Sequence, residues 1–180
     1  MQTFVALLRG VNVGKAKRVP MAELRALLAD LGHSGITTLL NSGNAVFRAS
    51  GGSAAGHAKA IAQAISQRLG VEVPVIVKTA AELTAIVAGN RLSVDAEHHS
   101  RFLVAFMQDN TSLPALAALD PLLVPPEQFS VGSHAAYLYC AVGILESKAG
   151  AALLGPAGRS ATTRNWSTVL KLQALAEAAG

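Results

Sequence analysis

The sequence has few of the features that mark secreted or membrane proteins. Its 180 residues include a single cysteine, Cys140, so no internal disulfide can form and the chain fits a reducing compartment. No run approaches the roughly 18 consecutive apolar residues that a spanning helix needs. The first residues do not combine a basic segment with an apolar run, as a secretory signal would. We therefore expect a cytoplasmic protein with no membrane partner.

Aromatic and charged residues are also scarce. Aromatic residues make up 4% of the chain and charged residues 14%, with 15 basic against 11 acidic side chains for a net charge of +4. This basic excess permits an anionic partner without requiring one. Nucleic acid is a weakly supported partner, because RNA-recognition modules stack bases on strand aromatics and neither residues 3–8 nor residues 36–40 match their signatures.

Patterns typical of metal sites and catalytic centres are absent. The histidines, His33, His57, His98, His99 and His134, lack the spacing of metal ligands, so we expect surface histidines and no metal site. There is no dinucleotide-binding fingerprint and no Gly-x-Ser-x-Gly elbow, so no cofactor is predicted and no nucleophile can be assigned. Catalytic residues are therefore unknown, and whether the protein is an enzyme stays open.

The hydrophobic pattern of the first 78 residues predicts the order β, α, β, β, α, β. Leucines at helical spacing predict a helix that starts at Pro20 and stops at Gly32, and Ser53 is placed to cap a second helix reaching residue 69. The predicted strands lie at 3–8, 36–40, 45–47 and 71–77. This is the element order of the ferredoxin-like, or split βαβ, fold.

The rest of the chain predicts a second, similar module. Thr79 is placed to cap a helix, and the order β, α, β, β, α recurs afterwards, with a short helix at 113–119. The last helix is predicted at 163–178. We therefore predict an α+β protein of two ferredoxin-like modules plus a C-terminal helix. The predicted divisions are module 1 at 1–78, a helix and linker at 79–100, module 2 at 101–155, and a C-terminal segment and helix at 156–180.

Three polar segments carry a resemblance to a known family. They are RGVNVGK at 9–15 followed by VPM at 19–21, NSGN at 41–44 followed by VF at 46–47, and TRNW at 163–166 followed by TV at 168–169 and KL at 171–172. In order and spacing they resemble the bacterial family called domain of unknown function 1697. The resemblance implies two ferredoxin-like α/β modules and brings no established activity. Members of that family often carry two glycines where this sequence has Gly14 and Lys15.

The first segment is a candidate for binding an anion. Glycines let a backbone turn sharply and expose N–H groups, and basic side chains here precede a helix whose N-terminus attracts negative charge. From this loop we predict Arg9, Asn12, Gly14 and Lys15 as ligand-binding residues. It is not a Walker-type phosphate loop, because three residues rather than four separate Gly10 from Gly14 and no Ser or Thr follows Lys15. The alternative interpretation is a solvated basic loop.

The second segment is expected at the tip of a hairpin. Asn41, Ser42 and Asn44 offer two amides and a hydroxyl, which suit either a polar ligand or the turn itself. We predict all three as ligand-binding residues, with turn formation as the alternative.

The third segment is predicted to begin the last helix, with Thr162 or Thr163 as its cap. Arg164, Asn165 and Trp166 then occupy the first turn, and we predict these three as ligand-binding residues. Arginine suits bidentate recognition of phosphate or carboxylate. Trp166 is either a core anchor or, with Arg164, a platform that stacks on a ring or base.

These observations leave three functions open. The first is a binding protein whose three segments converge on a phosphate-bearing small molecule or a nucleotide. The second is an enzyme that uses Arg9, Lys15 and Arg164 to stabilise charge developing on a phosphorylated or carboxylated substrate, and the third is a structural or assembly module without a ligand. The segments contain no Asp or Glu, which disfavours metal-hydrolase and carboxylate-pair mechanisms. We favour binding, which predicts that the three segments meet.

Overall fold

Two four-stranded antiparallel sheets organise the protein. The structure, a computed structural model, describes residues 1–180. It divides into unit 1, which is Met1–Leu83 with Leu172–Gly180, and unit 2, which is Thr84–Lys171. None of the helices has the length and apolar character needed to cross a bilayer.

The first sheet and its helices have the predicted β, α, β, β, α, β order. The elements are β1 (Gln2–Leu8), α1 (Met21–Asp30), β2 (Ser34–Leu39), β3 (Asn44–Ala49), α2 (Ala54–Leu69) and β4 (Val75–Thr79). Across the sheet the strands are ordered β2, β3, β1, β4, and each neighbouring pair is antiparallel. The ferredoxin-like fold predicted for this part of the chain is confirmed.

Local sequence explains most of the boundaries in unit 1. Pro20 directly precedes α1, where its fixed φ and missing N–H cost nothing. The hydroxyl of Ser53 accepts a hydrogen bond from the backbone N–H of Gly56 at 3.0 Å, as expected of a cap. β4 begins at Val75 rather than at the predicted residue 71. Pro74 cannot donate to a strand ladder, so pairing starts after it.

One face of the first sheet packs against α1 and α2. The side chains of Phe4, Phe47, Leu28 and Ile61 meet there and are at most 1% exposed. Successive side chains of a strand point to opposite faces of the sheet, and each helix has one apolar stripe. The apolar side chains of both are therefore buried where the helices cover the sheet. This core fixes the end of β1, from which the first candidate loop leaves the sheet.

Of the histidines expected on the surface, His57 is buried against this core and the half-buried His33 packs at its edge. His57 is only 9% exposed, and its ring centroid lies 4.6 Å from that of Phe4. His33 stacks on Phe47 at 4.5 Å and lies 5.0 Å from the His57 ring. Burial, with a smaller contribution from the charge of His57, lowers the pKa of His33 below its ordinary value. The position of His57 on the apolar stripe of α2, one turn before Ile61, was the signal for this placement.

The second sheet repeats the strand order of the first. The remaining elements are α3 (Ala80–Ala88), β5 (Phe102–Met107), β6 (Gln128–Val131), β7 (Ala136–Tyr139), α4 (Lys148–Leu154), β8 (Ala161–Asn165) and α5 (Trp166–Ala178), with 3₁₀ segments at Ala96–Arg101, Asn110–Leu122 and Pro156–Gly158. The order is β6, β7, β5, β8, all antiparallel. The helix predicted at 113–119 is the second 3₁₀ segment, which contains Pro114 and Pro121. The fold is thus α+β with two ferredoxin-like modules and a C-terminal helix.

The helix start predicted at residue 163 is wrong. Residues 161–165 form β8, and α5 begins at Trp166. β8 pairs antiparallel with β5 along its whole length. The adjacent Thr162 and Thr163 are β-branched and favour extended backbone, so local propensity and pairing agree. The residue that caps α5 is Asn165 rather than Thr162 or Thr163. Its side-chain oxygen accepts a hydrogen bond from the backbone N–H of Thr168 at 2.9 Å.

Candidate functional site

The loop at 9–18, between β1 and α1, has an uncommon backbone conformation. Gly10, Asn12, Gly14 and Lys17 have φ values of +66°, +57°, +64° and +49°. Glycine adopts this left-handed region without steric cost, and asparagine tolerates it better than most residues. The residue types at positions 10, 12 and 14 therefore match the conformation of the loop.

Asn12 ties the loop together. Its side-chain Nδ2 donates to the carbonyl of Val19 at 2.8 Å, and its Oδ1 accepts from the backbone N–H of the same residue at 2.9 Å. The second Nδ2 proton goes to the carbonyl of Asn41 at 2.7 Å. The backbone N–H of Asn12 also donates to the carbonyl of Lys17 at 3.1 Å. Asn12, predicted as a ligand-binding residue, therefore has its amide N–H groups engaged in holding the loop.

The turn at 41–44 is held just as tightly. Asn44 is fully buried, and its side chain donates to the carbonyl of Leu39 at 2.8 Å and to the hydroxyl of Ser42 at 2.9 Å. The carbonyl of Gly43 accepts from the backbone N–H of Leu8 at 2.8 Å. The Asn44 amide therefore forms the turn, which is the alternative to ligand binding for this segment. The side chain of Asn41 is exposed.

The bond from Asn12 to Asn41 brings the first two segments together. They are 29 positions apart in the chain and form one surface of unit 1, which we call the loop surface and define as residues 9–18 and 41–44. The third segment, at 163–166, belongs to unit 2. Its convergence with the other two stays a prediction.

The loop surface carries positive charge without carboxylates. Lys15, Lys17 and Arg18 are exposed and Arg9 is half-buried, and neither stretch contains an Asp or Glu. The next acid along the chain, Glu23, is paired with Arg68 at 2.9 Å. Like charges on a short loop raise the local positive potential, which falls off over about 8 Å at physiological salt. The positive potential of the loop surface is therefore local.

Arg164 lies in β8, opposite Val104 of β5. It is only 8% exposed, and its Nη1 donates to the hydroxyl of Thr162 at 3.0 Å and to the carbonyl of Thr163 at 2.8 Å. Burial lowers the pKa of the guanidinium to about 10, which leaves it charged at neutral pH. An arginine buried in a strand is costly unless its N–H groups are satisfied, and these two bonds supply part of that requirement.

Asn165 and Trp166 take local roles at the start of α5. Asn165 caps the helix, as described above. Trp166 is 8% exposed and stacks on Phe102, with ring centroids 4.9 Å apart and an angle of 21° between the planes. This contact favours the core-anchor interpretation of Trp166 over the stacking platform.

A model of the family described as "Protein of unknown function (DUF1697)" matches residues 1–137. The chain belongs to this family. The match contains the whole loop surface and ends before Arg164. No curated protein matches the sequence.

Among solved structures, the DUF1697 chain is similar to the conserved bacterial protein SP0830 from Streptococcus pneumoniae. The TM-score is 0.76 and the sequence identity 21%, over 97% of this chain and 98% of the other. At this identity the likeness shows the fold alone. The family description assigns no function.

Lys78 is a buried polar residue that the sequence reasoning missed. It lies in β4 of unit 1, opposite Val5 of β1, and is 1% exposed. Its Nζ lies 3.7 Å from Oε1 of Glu82, while the other oxygen of Glu82 accepts from the backbone N–H of Thr79 at 2.8 Å. Lysine is almost never fully buried unless it is paired. The signal was available, because Lys78 interrupts the apolar strand Val75–Thr79.

An exposed cluster in unit 2 has the residue types of a metal site. Ligand atoms of Asp95, Glu97 and His98 lie within 4.8 Å of one another. The Nδ1 of His98 is, however, at hydrogen-bonding distance from the hydroxyl of Tyr139, at 2.9 Å. Exposed acidic groups cluster commonly without a metal, so the geometry alone assigns no ion.

Replacing Asn12 with alanine is expected to cost about 3 kcal/mol of unfolding free energy. It removes two part-buried hydrogen bonds, worth about 1 kcal/mol each, and adds about 1 kcal/mol of strain at positive φ. Urea unfolding followed by circular dichroism measures this loss. Asn12→Gly is the matched control, since it removes the amide without the strain, and should lose about 1 kcal/mol less. Wild-type stability in Asn12→Gly would show that the amide does not hold the loop.

Proposed function

We propose that the loop surface binds the phosphate group of a small molecule or nucleotide. The observation that carries the proposal is a set of exposed basic side chains, with no acid among them, on a loop fixed to the neighbouring turn by Asn12. Hydrogen bonds from charged donors to phosphate oxygens are shorter and stronger than neutral ones. A fixed loop also loses little conformational entropy when a ligand arrives.

Different residues of the loop surface serve this function in different ways. Lys15 is exposed in the loop and Asn41 is exposed in the turn, which supports the proposal that both contact the ligand. Gly14 supplies the backbone turn at φ +64° that precedes Lys15. The amides of Asn12 and Asn44 donate to backbone carbonyls of the protein. These two residues therefore hold the loop and the turn in place and do not contact the ligand through their amide N–H groups.

Binding rather than catalysis is proposed because the loop surface offers no general base. Its two stretches contain no carboxylate, histidine or cysteine, and the Ser42 hydroxyl is bonded to Asn44. A serine without an adjacent base is a weak nucleophile. The proposal concerns unit 1 alone, and the role of Arg164 in binding is a separate prediction for unit 2.

The double variant Lys15→Gln with Lys17→Gln is expected to weaken binding of AMP about tenfold, since a hydrogen bond to a charged group is worth about 1.5 to 3 kcal/mol before screening by solvent reduces it. Isothermal titration calorimetry at low salt measures the affinity. Raising the salt concentration should also weaken the binding of AMP to the wild type, because salt screens the charges.

Arg25→Gln with Lys59→Gln is the matched control for this experiment. Both side chains are exposed and lie in unit 1 outside the loop surface, so the variant makes the same change in net charge. AMP affinity should stay within about twofold of wild type if the site is local. Equal weakening in the two double variants would show non-specific attraction, and absence of AMP binding to the wild type would remove the nucleotide from the proposal.

A further inference from the structure

Unit 2 contains a cavity that none of the three sequence motifs reaches. It has a volume of about 510 Å³ and lies between the end of α3, the turn from β6 to β7 and the 3₁₀ segment at Asn110–Leu122. Sites for small organic ligands typically have volumes of about 300 to 1,000 Å³. The cavity therefore has the size of a small-molecule site.

Tyr137 lines this cavity, and two glycines leave room for it. A Cβ atom at Gly89 would lie 3.0 Å from the Tyr137 hydroxyl oxygen, and one at Gly132 would lie 3.2 Å from Cε2 of the same ring. The ring is 1% exposed, and its hydroxyl donates to the carbonyl of Ile86. Burial raises the pKa of Tyr137 to about 12, so the hydroxyl keeps its proton and this bond at neutral pH. This bond therefore holds the Tyr137 side chain at the cavity wall.

Two polar side chains at the cavity, those of Arg91 and His134, have no hydrogen-bond partner within the protein. Arg91 is exposed and makes no hydrogen bond or ion pair. The Nδ1 atom of His134 is buried and has no hydrogen-bond partner, and its Nε2 makes no bond within the protein either. A buried N–H without an acceptor is rarer than a buried acceptor without a donor. We therefore place a ring hydrogen of His134 on Nε2, which makes this atom a second donor.

We propose that this cavity binds a small organic anion. Its carboxylate or phosphate oxygens accept hydrogen bonds from the Arg91 guanidinium and from Nε2 of His134, and its apolar part lies against Pro114 and Val131. No Asp or Glu lines the cavity to oppose the charge. The Ser133 hydroxyl, exposed on the turn, adds a group that can donate or accept. This site lies in unit 2 and is independent of the loop surface.

The test uses the full chain labelled with ¹⁵N and three probes of similar size: benzoate, phenyl phosphate and the neutral benzamide. At least one of the two anions should shift the backbone amide signals of Gly89, Gly132 and Ser133, and benzamide should not. Which anion shifts them distinguishes a carboxylate site from a phosphate site. Shifts at Gly14 and Lys15 report the loop surface, so failure of one site is distinguishable from failure of the other.

Arg91→Gln should weaken binding of the responding anion about tenfold, as expected for loss of one charge-assisted hydrogen bond. Lys148→Gln, which removes an exposed charge of unit 2 outside the cavity, should leave the affinity unchanged. The proposal is overturned if neither anion shifts the three amide signals, if benzamide shifts them as strongly, or if Arg91→Gln binds like wild type.

Discussion

Replacing Trp166 with alanine is expected to destabilise the protein by about 3 to 5 kcal/mol, the range for removing a large aromatic side chain from a core. The indole is 8% exposed and stacks on Phe102 in β5, one of the two central strands of the second sheet. Its loss leaves a cavity beside β5 and removes the anchor of the first turn of α5. A change of this size is a large part of the total stability of a typical domain.

Trp166→Phe and Leu170→Ala are the controls for this prediction. Phenylalanine keeps an aromatic ring against Phe102 and should recover more than half of the loss. Leu170 lies on the same helix but is 37% exposed, so its truncation should cost less than about 1 kcal/mol. Trp166 is the single tryptophan, so its replacement removes the tryptophan fluorescence. Unfolding is therefore followed by far-ultraviolet circular dichroism. Near wild-type stability in Trp166→Ala, combined with lost nucleotide binding, would favour the stacking platform instead.

The parts of the fold that could be predicted from the sequence are those set by neighbouring residues. Pro20, Ser53 and Thr79 marked the starts of α1, α2 and α3, because capping and proline effects act within one turn. The turn at 41–44 was predicted from its own residue types. Two ferredoxin-like modules followed from the order of these elements and from the family resemblance.

The strand β8 could not be predicted from local sequence. Its residues, Ala161–Asn165, gain their stability from pairing with β5, which lies far away in the chain. The helix-cap signal at Thr162 and Thr163 competed with that pairing, and tertiary pairing prevailed, as it routinely does over local propensity. The strand completes a sheet with the same order as the first.

The residues of the candidate site were predicted from their types alone. The structure separates those that hold the loop surface together from those whose side chains are exposed. Asn12 and Asn44 were selected because amides can hydrogen-bond a ligand, yet their bonds run to backbone and side-chain groups of the protein. Lys15 and Asn41 keep exposed side chains. A single sequence cannot separate these two uses of an amide, because the partners of Asn12 lie 7 and 29 positions away.

Gly43 is a second position where a small change is expected to have a large effect. Gly43→Ala should destabilise the protein by about 3 kcal/mol, because left-handed backbone costs a residue with a Cβ about 1 to 2 kcal/mol and overpacking a core costs about 1 to 3 kcal/mol more. The φ of Gly43 is +85°. An added Cβ would lie 2.6 Å from Cβ of Leu8 and 2.9 Å from Cγ2 of Val11, and both neighbours are buried.

Gly14→Ala separates the two causes of this loss. Gly14 also has a positive φ, +64°, but an added Cβ would meet nothing within 4 Å. It should lose about 1 kcal/mol from strain alone, so the difference between the variants in urea unfolding measures the clash with Leu8 and Val11. Equal losses would show that the turn moves away from β1 without cost. If Gly43→Ala still folds, it should also bind AMP more weakly, because Asn12 is bonded to the displaced turn at Asn41.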